Sequence, residues 1–97
     1  MLDFSGYTLP NDIKLLLTEY IEQGKCPNNF IYNVLCNSLS GAVAELEGVS
    51  PDILIELVYF VSARLPGNSH GNPGKVIRYM NQHQEKLSYK NNLRPVA

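Results

Sequence analysis

The stretch best equipped for chemistry is Leu65 to Arg78, which reads Leu-Pro-Gly-Asn-Ser-His-Gly-Asn-Pro-Gly-Lys-Val-Ile-Arg. Gly67, Gly71 and Gly74 allow the backbone to approach a ligand closely, and Pro73 opens a helix whose unpaired N–H groups and dipole favour an anion. Lys75 and Arg78 stand three apart, so they share one face of that helix. Arg64 ends the preceding helix on the other side of the loop. Together with Ser69 and His70, these residues form the candidate ligand-binding set: Arg64, Ser69, His70, Gly71, Gly74, Lys75 and Arg78. Such a set suits a small phosphorylated ligand. The same glycines also suit an ordinary connection between two helices, and both readings stay open. The stretch is not a P-loop: it lacks the GxxxxGK[ST] spacing, and Val76 stands at the hydroxyl position, which disfavours ATP hydrolysis.

The remaining reactive residue types carry less. His70 has no Ser, Cys or Asp in a legible triad arrangement. His83, between Met80 and Leu87 on an inner helix face, reads as a hydrogen-bonded core histidine. Cys26 and Cys36 have no basic neighbour to stabilise a thiolate, so they read as small apolar side chains. If a helix joined them they would lie roughly 15 Å apart, too far for a disulfide. Free thiols fit a reducing compartment. Two Cys and two distant His give no zinc-ligand spacing. No catalytic residues, no metal and no cofactor are expected, and the chain reads as non-enzymatic.

The elements that must position these residues follow from length and patterning. The chain has 97 residues, 44% hydrophobic and 18% charged, which bounds it to one small soluble domain, residues 1–97. Its charge is low and its apolar content high, so disorder is excluded and burial of some surface by a partner is expected. The longest apolar run, Ile53 to Val61, is interrupted by Glu56 and is far below the roughly 20 residues of a membrane span. Met1 to Tyr7 lacks the basic and apolar regions of a secretory signal. A cytoplasmic protein with no membrane contact is the expectation.

Proline and glycine punctuation predicts an all-α fold, a compact four-helix domain with helices at about 10–23, 27–47, 51–65 and 73–87. Ile13, Leu16, Leu17, Tyr20 and Ile21 form one face of the first helix, which Gly24 stops. Ile31, Val34, Leu35, Leu39, Ala42, Val43 and Leu46 keep a helical period through the second, up to Gly48. Ser50-Pro51-Asp52 starts the third with a hydroxyl cap, a first-turn proline and a first-turn acid. That helix is apolar nearly all round, so its neighbours or another subunit must cover it. The fourth presents Val76, Ile77, Met80, His83 and Leu87 inward. The tail, 88–97, has no period and is expected to be mobile or laid on a partner.

The net charge of −1 conceals a polarity. Met1 to Ala63 carries eight acids against Lys14 and Lys25, whereas Arg64 onward carries six bases against Glu85. A basic end attracts phosphates or an acidic protein surface, while the acidic remainder repels duplex nucleic acid.

Several sequence blocks together resemble a group of short proteins encoded by phages and prophages. They are Tyr-Ile-Glu-x-Gly at Tyr20 to Gly24, Pro-x-x-Phe-Ile-x-x-Val-Leu-x-Asn at Pro27 to Asn37, Leu-Val-Tyr-Phe-Val at Leu57 to Val61, and Leu-Pro-x-x-Ser-x-Gly-x-Pro-x-Lys-Val at Leu65 to Val76. The resemblance covers about Pro10 to Met80. Where the group has Trp-Gly-Ser-Pro-Glu-Lys-Val, this chain has His70, Asn72 and Gly74 in place of Trp, Ser and Glu. The group has no assigned activity; the resemblance implies a phage origin and stoichiometric binding of a host component. The expected function is inhibition of a host-defence component, for instance a CRISPR-type complex, in the bacterial cytoplasm, through an apolar and tyrosine-rich face. The alternative is an oligomeric sponge that binds a small phosphorylated ligand, such as a cyclic nucleotide, through residues 66–78. The expected partner is a host protein or that ligand, with homo-oligomerisation possible in either case.

Overall fold

Capping side chains mark where some of the helices begin. The computed structural model describes residues 2–46 and 49–92, with side chains through residue 85. Among these residues the chain forms five α-helices and no strand: α1 (Asn11–Gln23), α2 (Asn29–Leu35), α3 (Leu39–Ala44), α4 (Pro51–Arg64) and α5 (Pro73–Asn92), with a 3-10 turn at Gly67–Ser69. The Asn28 carboxamide oxygen accepts from the N–H of Ile31 at 2.9 Å, and the Ser50 hydroxyl accepts from that of Asp52 at 3.2 Å. Each satisfies a donor that the first turn of a helix leaves unpaired. α1 ends at Gly24, whose φ of 66° is the left-handed conformation that glycine adopts without steric cost. No helix among the described residues is long and apolar enough to cross a membrane.

The all-α expectation holds, and the helix expected over 27–47 is corrected: it is two helices. Asn37, with φ 60°, turns the chain at the end of α2, and the Ser38 N–H then donates to the Asn33 carbonyl at 2.8 Å. Asparagine tolerates the left-handed region because its short polar side chain bonds locally. α3 then folds back on α2 so closely that a Cβ at Gly41 would collide with the Asn33 carboxamide. The expected stop at Gly48 lies outside the described residues.

The last helix also differs from expectation, since α5 continues to Asn92 through the first half of the stretch read as a tail. Residues 93–97 lie outside the described residues, as does the side chain of Leu87. Its inner face is rotated: Val76 and Tyr79 are buried, while Ile77 is exposed. Tyr79 can take the inner position because its hydroxyl finds an acceptor there, the Ile21 carbonyl of α1 at 2.6 Å.

One cluster of buried side chains joins these elements. Leu17 and Tyr20 of α1, Ile31 and Leu35 of α2, Leu57 and Phe60 of α4 and Val76 of α5 are its most enclosed members. The segment before α1 covers α4: Phe4 stacks on Phe60 with centroids 4.7 Å apart, and Tyr7 meets the same ring edge-on at 5.2 Å. α3 contributes only Ala42 to the buried set, which leaves Leu39 and Val43 facing outward.

Candidate functional site

The glycine-rich loop is built first by its own backbone needs. Ser69 is fully buried in the 3-10 turn; its hydroxyl donates to the Pro66 carbonyl at 2.6 Å, and its carbonyl accepts from the Tyr20 hydroxyl at the same distance. Gly71, at φ 122°, donates its N–H to the Leu35 carbonyl at 2.8 Å, pinning the loop to the end of α2. Both residues therefore fasten the loop to the core, Ser69 through its hydroxyl and carbonyl and Gly71 through its N–H.

The start of α5 is closed by its own chain. The Asn72 side chain accepts from the Lys75 N–H at 2.9 Å, the bond that an anion at this helix start would otherwise make. Gly74 is exposed in the first turn, and a Cβ there would crowd the Asn72 carboxamide oxygen at 3.2 Å. Lys75 and Arg78 are exposed, and Lys75 folds back so that its Cδ and Nζ lie 3.6 Å from where a Cβ of Gly71 would stand.

Arg64 is drawn to the N-terminal segment instead of the loop. Its guanidinium donates to Asp3 Oδ2 and to the Ser5 carbonyl, each at 3.3 Å, and lies over the Tyr7 ring at 5.5 Å. The Ser5 hydroxyl and N–H, followed by burial and the Arg64 charge, bear on Asp3, and the net result holds its carboxyl below the ordinary carboxylate range. The loop cations described with side chains are thus Lys75 and Arg78; Lys86, Lys90 and Arg94 of the expected basic end lie outside the described side chains.

The cysteines separate. Cys36 is buried, and burial is the main cause that pushes its thiol above the ordinary value, with Tyr32 acting in the opposite sense. Cys26 is exposed, a correction to the buried thiol expected from its apolar character. Among the described residues no three His, Cys, Asp or Glu side chains are grouped to hold a metal ion.

His70 and Gly71 belong to a different feature. They close one end of a hollow of about 210 Å³ between α3 and α4, walled by Val34, Leu39, Ala42, Leu54, Val58 and Val61, with Asn37, Ser38 and Ser62 at its rim. No lining residue other than His70 is ionisable. Two walls of the hollow, Leu39 at 64% exposure and Val58 at 39%, are also turned to solvent, and Val43 at 50%, Ile55 at 54% and Tyr59 at 64% are exposed elsewhere on α3 and α4. Scattered exposed apolar residues are ordinary, whereas a contiguous set around a concavity marks an interaction surface.

The sequence pointed to half of this surface. An α4 apolar all round announced Ile55, Val58 and Tyr59. Leu39 and Val43 were hidden because a continuous helix over 27–47 would have turned them inward; the signal was the pair Asn37-Ser38, a left-handed former followed by a helix-start residue. Comparison with protein families, curated proteins and solved structures returns no significant match to this chain.

Proposed function

We propose that the chain is a small non-enzymatic binding protein that acts stoichiometrically, docking the α3–α4 face on a partner protein. The observation that carries this reading is the hollow with no acidic or basic lining residue other than His70, whose walls Leu39 and Val58 are themselves exposed. Exposed apolar side chains at the mouth of a pocket are the composition of an interface core, where a few anchors supply most of the binding energy. The resemblance to phage-encoded proteins makes a bacterial host-defence component, such as a CRISPR-type complex, the partner class, and inhibition by occupation the mode of action.

The reading as a sponge for a small phosphorylated ligand draws on the exposed pair Lys75 and Arg78. It is the weaker one, because Asn72 already caps the helix start and Arg64 is engaged by Asp3. Native mass spectrometry of the tagged chain recovered from bacterial lysate separates the two. One protein retained at a fixed ratio by the wild-type chain and lost with Val58→Lys supports docking; a retained nucleotide with no protein supports the sponge.

A further inference from the structure

Four polar side chains line the α3–α4 hollow, Asn37, Ser38, Ser62 and His70, and among the described residues none of these side chains has a hydrogen-bond partner in the chain. We infer that the hollow is a binding site for a small neutral molecule that carries an apolar ring and one group able both to donate and to accept hydrogen bonds, such as a carboxamide. The inference goes beyond protein docking and does not rest on it: docking uses the exposed walls Leu39 and Val58, whereas this site is the cavity and its polar lining.

The polar groups come from separate places in the chain. Asn37 and Ser38 belong to the turn between α2 and α3, Ser62 to α4 and His70 to the loop before α5, so only the fold brings them to one cavity. Ser38 stands at the start of α3 and its hydroxyl makes no capping bond, unlike Asn28 at α2 and Ser50 at α4. Asn37 holds the left-handed conformation at φ 60°, the one non-glycine residue with positive φ among the described residues. Backbone conformations of this kind gather at ligand-binding sites.

The walls set the chemistry and size of the ligand. Val34, Leu39, Ala42, Leu54, Val58 and Val61 give an apolar lining, and no Asp, Glu, Lys or Arg is among the lining residues. An ion would lose its hydration here without a partner of opposite charge, which selects a neutral molecule. A cavity of roughly 150 Å³ accepts a benzene ring, so the hollow of about 210 Å³ takes such a ring with a substituent of about three heavy atoms. Carboxamide, hydroxyl and neutral imidazole groups each donate and accept, and a ligand group that does both pairs with them fully. A concave apolar pocket with a few convergent polar groups is the usual way a protein holds a small molecule.

Benzamide has this chemistry and is the probe. Its titration to about 5 mM into the isotope-labelled full chain, followed by amide NMR shifts, is expected to saturate with a dissociation constant of about 1 mM. The shifts are expected at Asn37, Ser38, Val58, Ser62 and Gly71. Benzoate, of the same shape but charged, is expected to bind at least about tenfold more weakly. Asn37→Gly keeps the left-handed turn and removes the carboxamide; it is expected to weaken benzamide about threefold to tenfold with an unchanged circular dichroism spectrum. Ser62→Phe, at an exposed position that the fold tolerates, sets a ring across the cavity and is expected to abolish the shifts. No saturable shift with benzamide, benzoate bound as tightly, or an affinity unchanged in both variants overturns the inference. If benzamide fails to bind while Val58→Lys still loses the captured protein, the docking reading stands and only the ligand site falls. Benzamide binding in a chain whose protein capture is indifferent to Val58→Lys has the opposite meaning.

Discussion

The hydroxyl of Tyr20 donates to the carbonyl oxygen of Ser69 at 2.6 Å, a bond between residues 49 positions apart in the interior of the fold. It ties the last turns of α1 to the 3-10 turn that carries the glycine-rich loop. Tyr79 makes a parallel bond from α5 to the Ile21 carbonyl, and the two rings lie 5.2 Å apart. The loop between α4 and α5 is therefore anchored from beneath by Tyr20, and Tyr79 ties α5 to α1 beside it.

Tyr20→Phe removes the donor and leaves a buried carbonyl unpaired, at an expected cost of about 1 to 3 kcal/mol in urea denaturation at pH 7. Burial pushes the Tyr20 hydroxyl well above its ordinary value near 10. The folded chain thus keeps this proton where the unfolded chain releases it. The stabilising contribution of Tyr20 is full below about pH 10 and declines as pH rises beyond it. The difference between wild type and Tyr20→Phe is expected to shrink between pH 9 and 11. A difference that grows over that range would contradict the buried, neutral hydroxyl.

Gly24→Ala places a methyl group at a left-handed residue and inside the contact distance of the His83 Cβ. The backbone cost of about 1 to 2 kcal/mol adds to overpacking of about 1 to 3 kcal/mol where α1 meets α5. Thermal denaturation should show the loss, and Gly6→Ala, where no atom lies within 4 Å of the added carbon, should show only the backbone part.

Two substitutions on α4 separate the covered face from the open one. Leu57 is fully buried, so Leu57→Ala is expected to cost about 2 to 5 kcal/mol through lost burial and the cavity left behind. Ile55, two positions earlier, faces solvent, and Ile55→Ala should change stability by less than about 0.5 kcal/mol. Equal losses at the two positions would mean that another part of the molecule already covers Ile55.

The helix starts were legible because they are local. Ser50-Pro51-Asp52 and Pro10 act within one turn, so α1 and α4 begin and end within a residue or so of the sequence expectation. Asn37 was not legible, because the apolar spacing of Val34, Leu35, Leu39, Ala42 and Val43 runs through it undisturbed. What breaks that period is the left-handed turn at Asn37 itself, which lets α3 return closely on α2 at Gly41. Arg64 and Ser69 likewise sit where a loop site would place them; their partners, Asp3 and Tyr20, are distant in sequence and decide that they serve the fold. The hollow required two helices where the pattern showed one.

The last prediction sets the loop against the apolar face. Lys75 and Arg78 are exposed, so Lys75→Ala with Arg78→Ala should leave stability within about 0.5 kcal/mol of wild type. If a phosphorylated ligand were the physiological one, losing both cations would weaken it about a hundredfold or more, since each charge-assisted contact is worth roughly 1.5 to 3 kcal/mol. Docking through α3 and α4 predicts instead that the captured protein survives this double substitution. Leu39→Lys or Val58→Lys places a charge where the partner must exclude water, and capture should fall at least about a hundredfold with the fold intact. Quantitative pull-down of wild type and the three variants at matched concentration measures both effects. Retention by Leu39→Lys and Val58→Lys together with loss from the double-alanine chain would move the site to the loop.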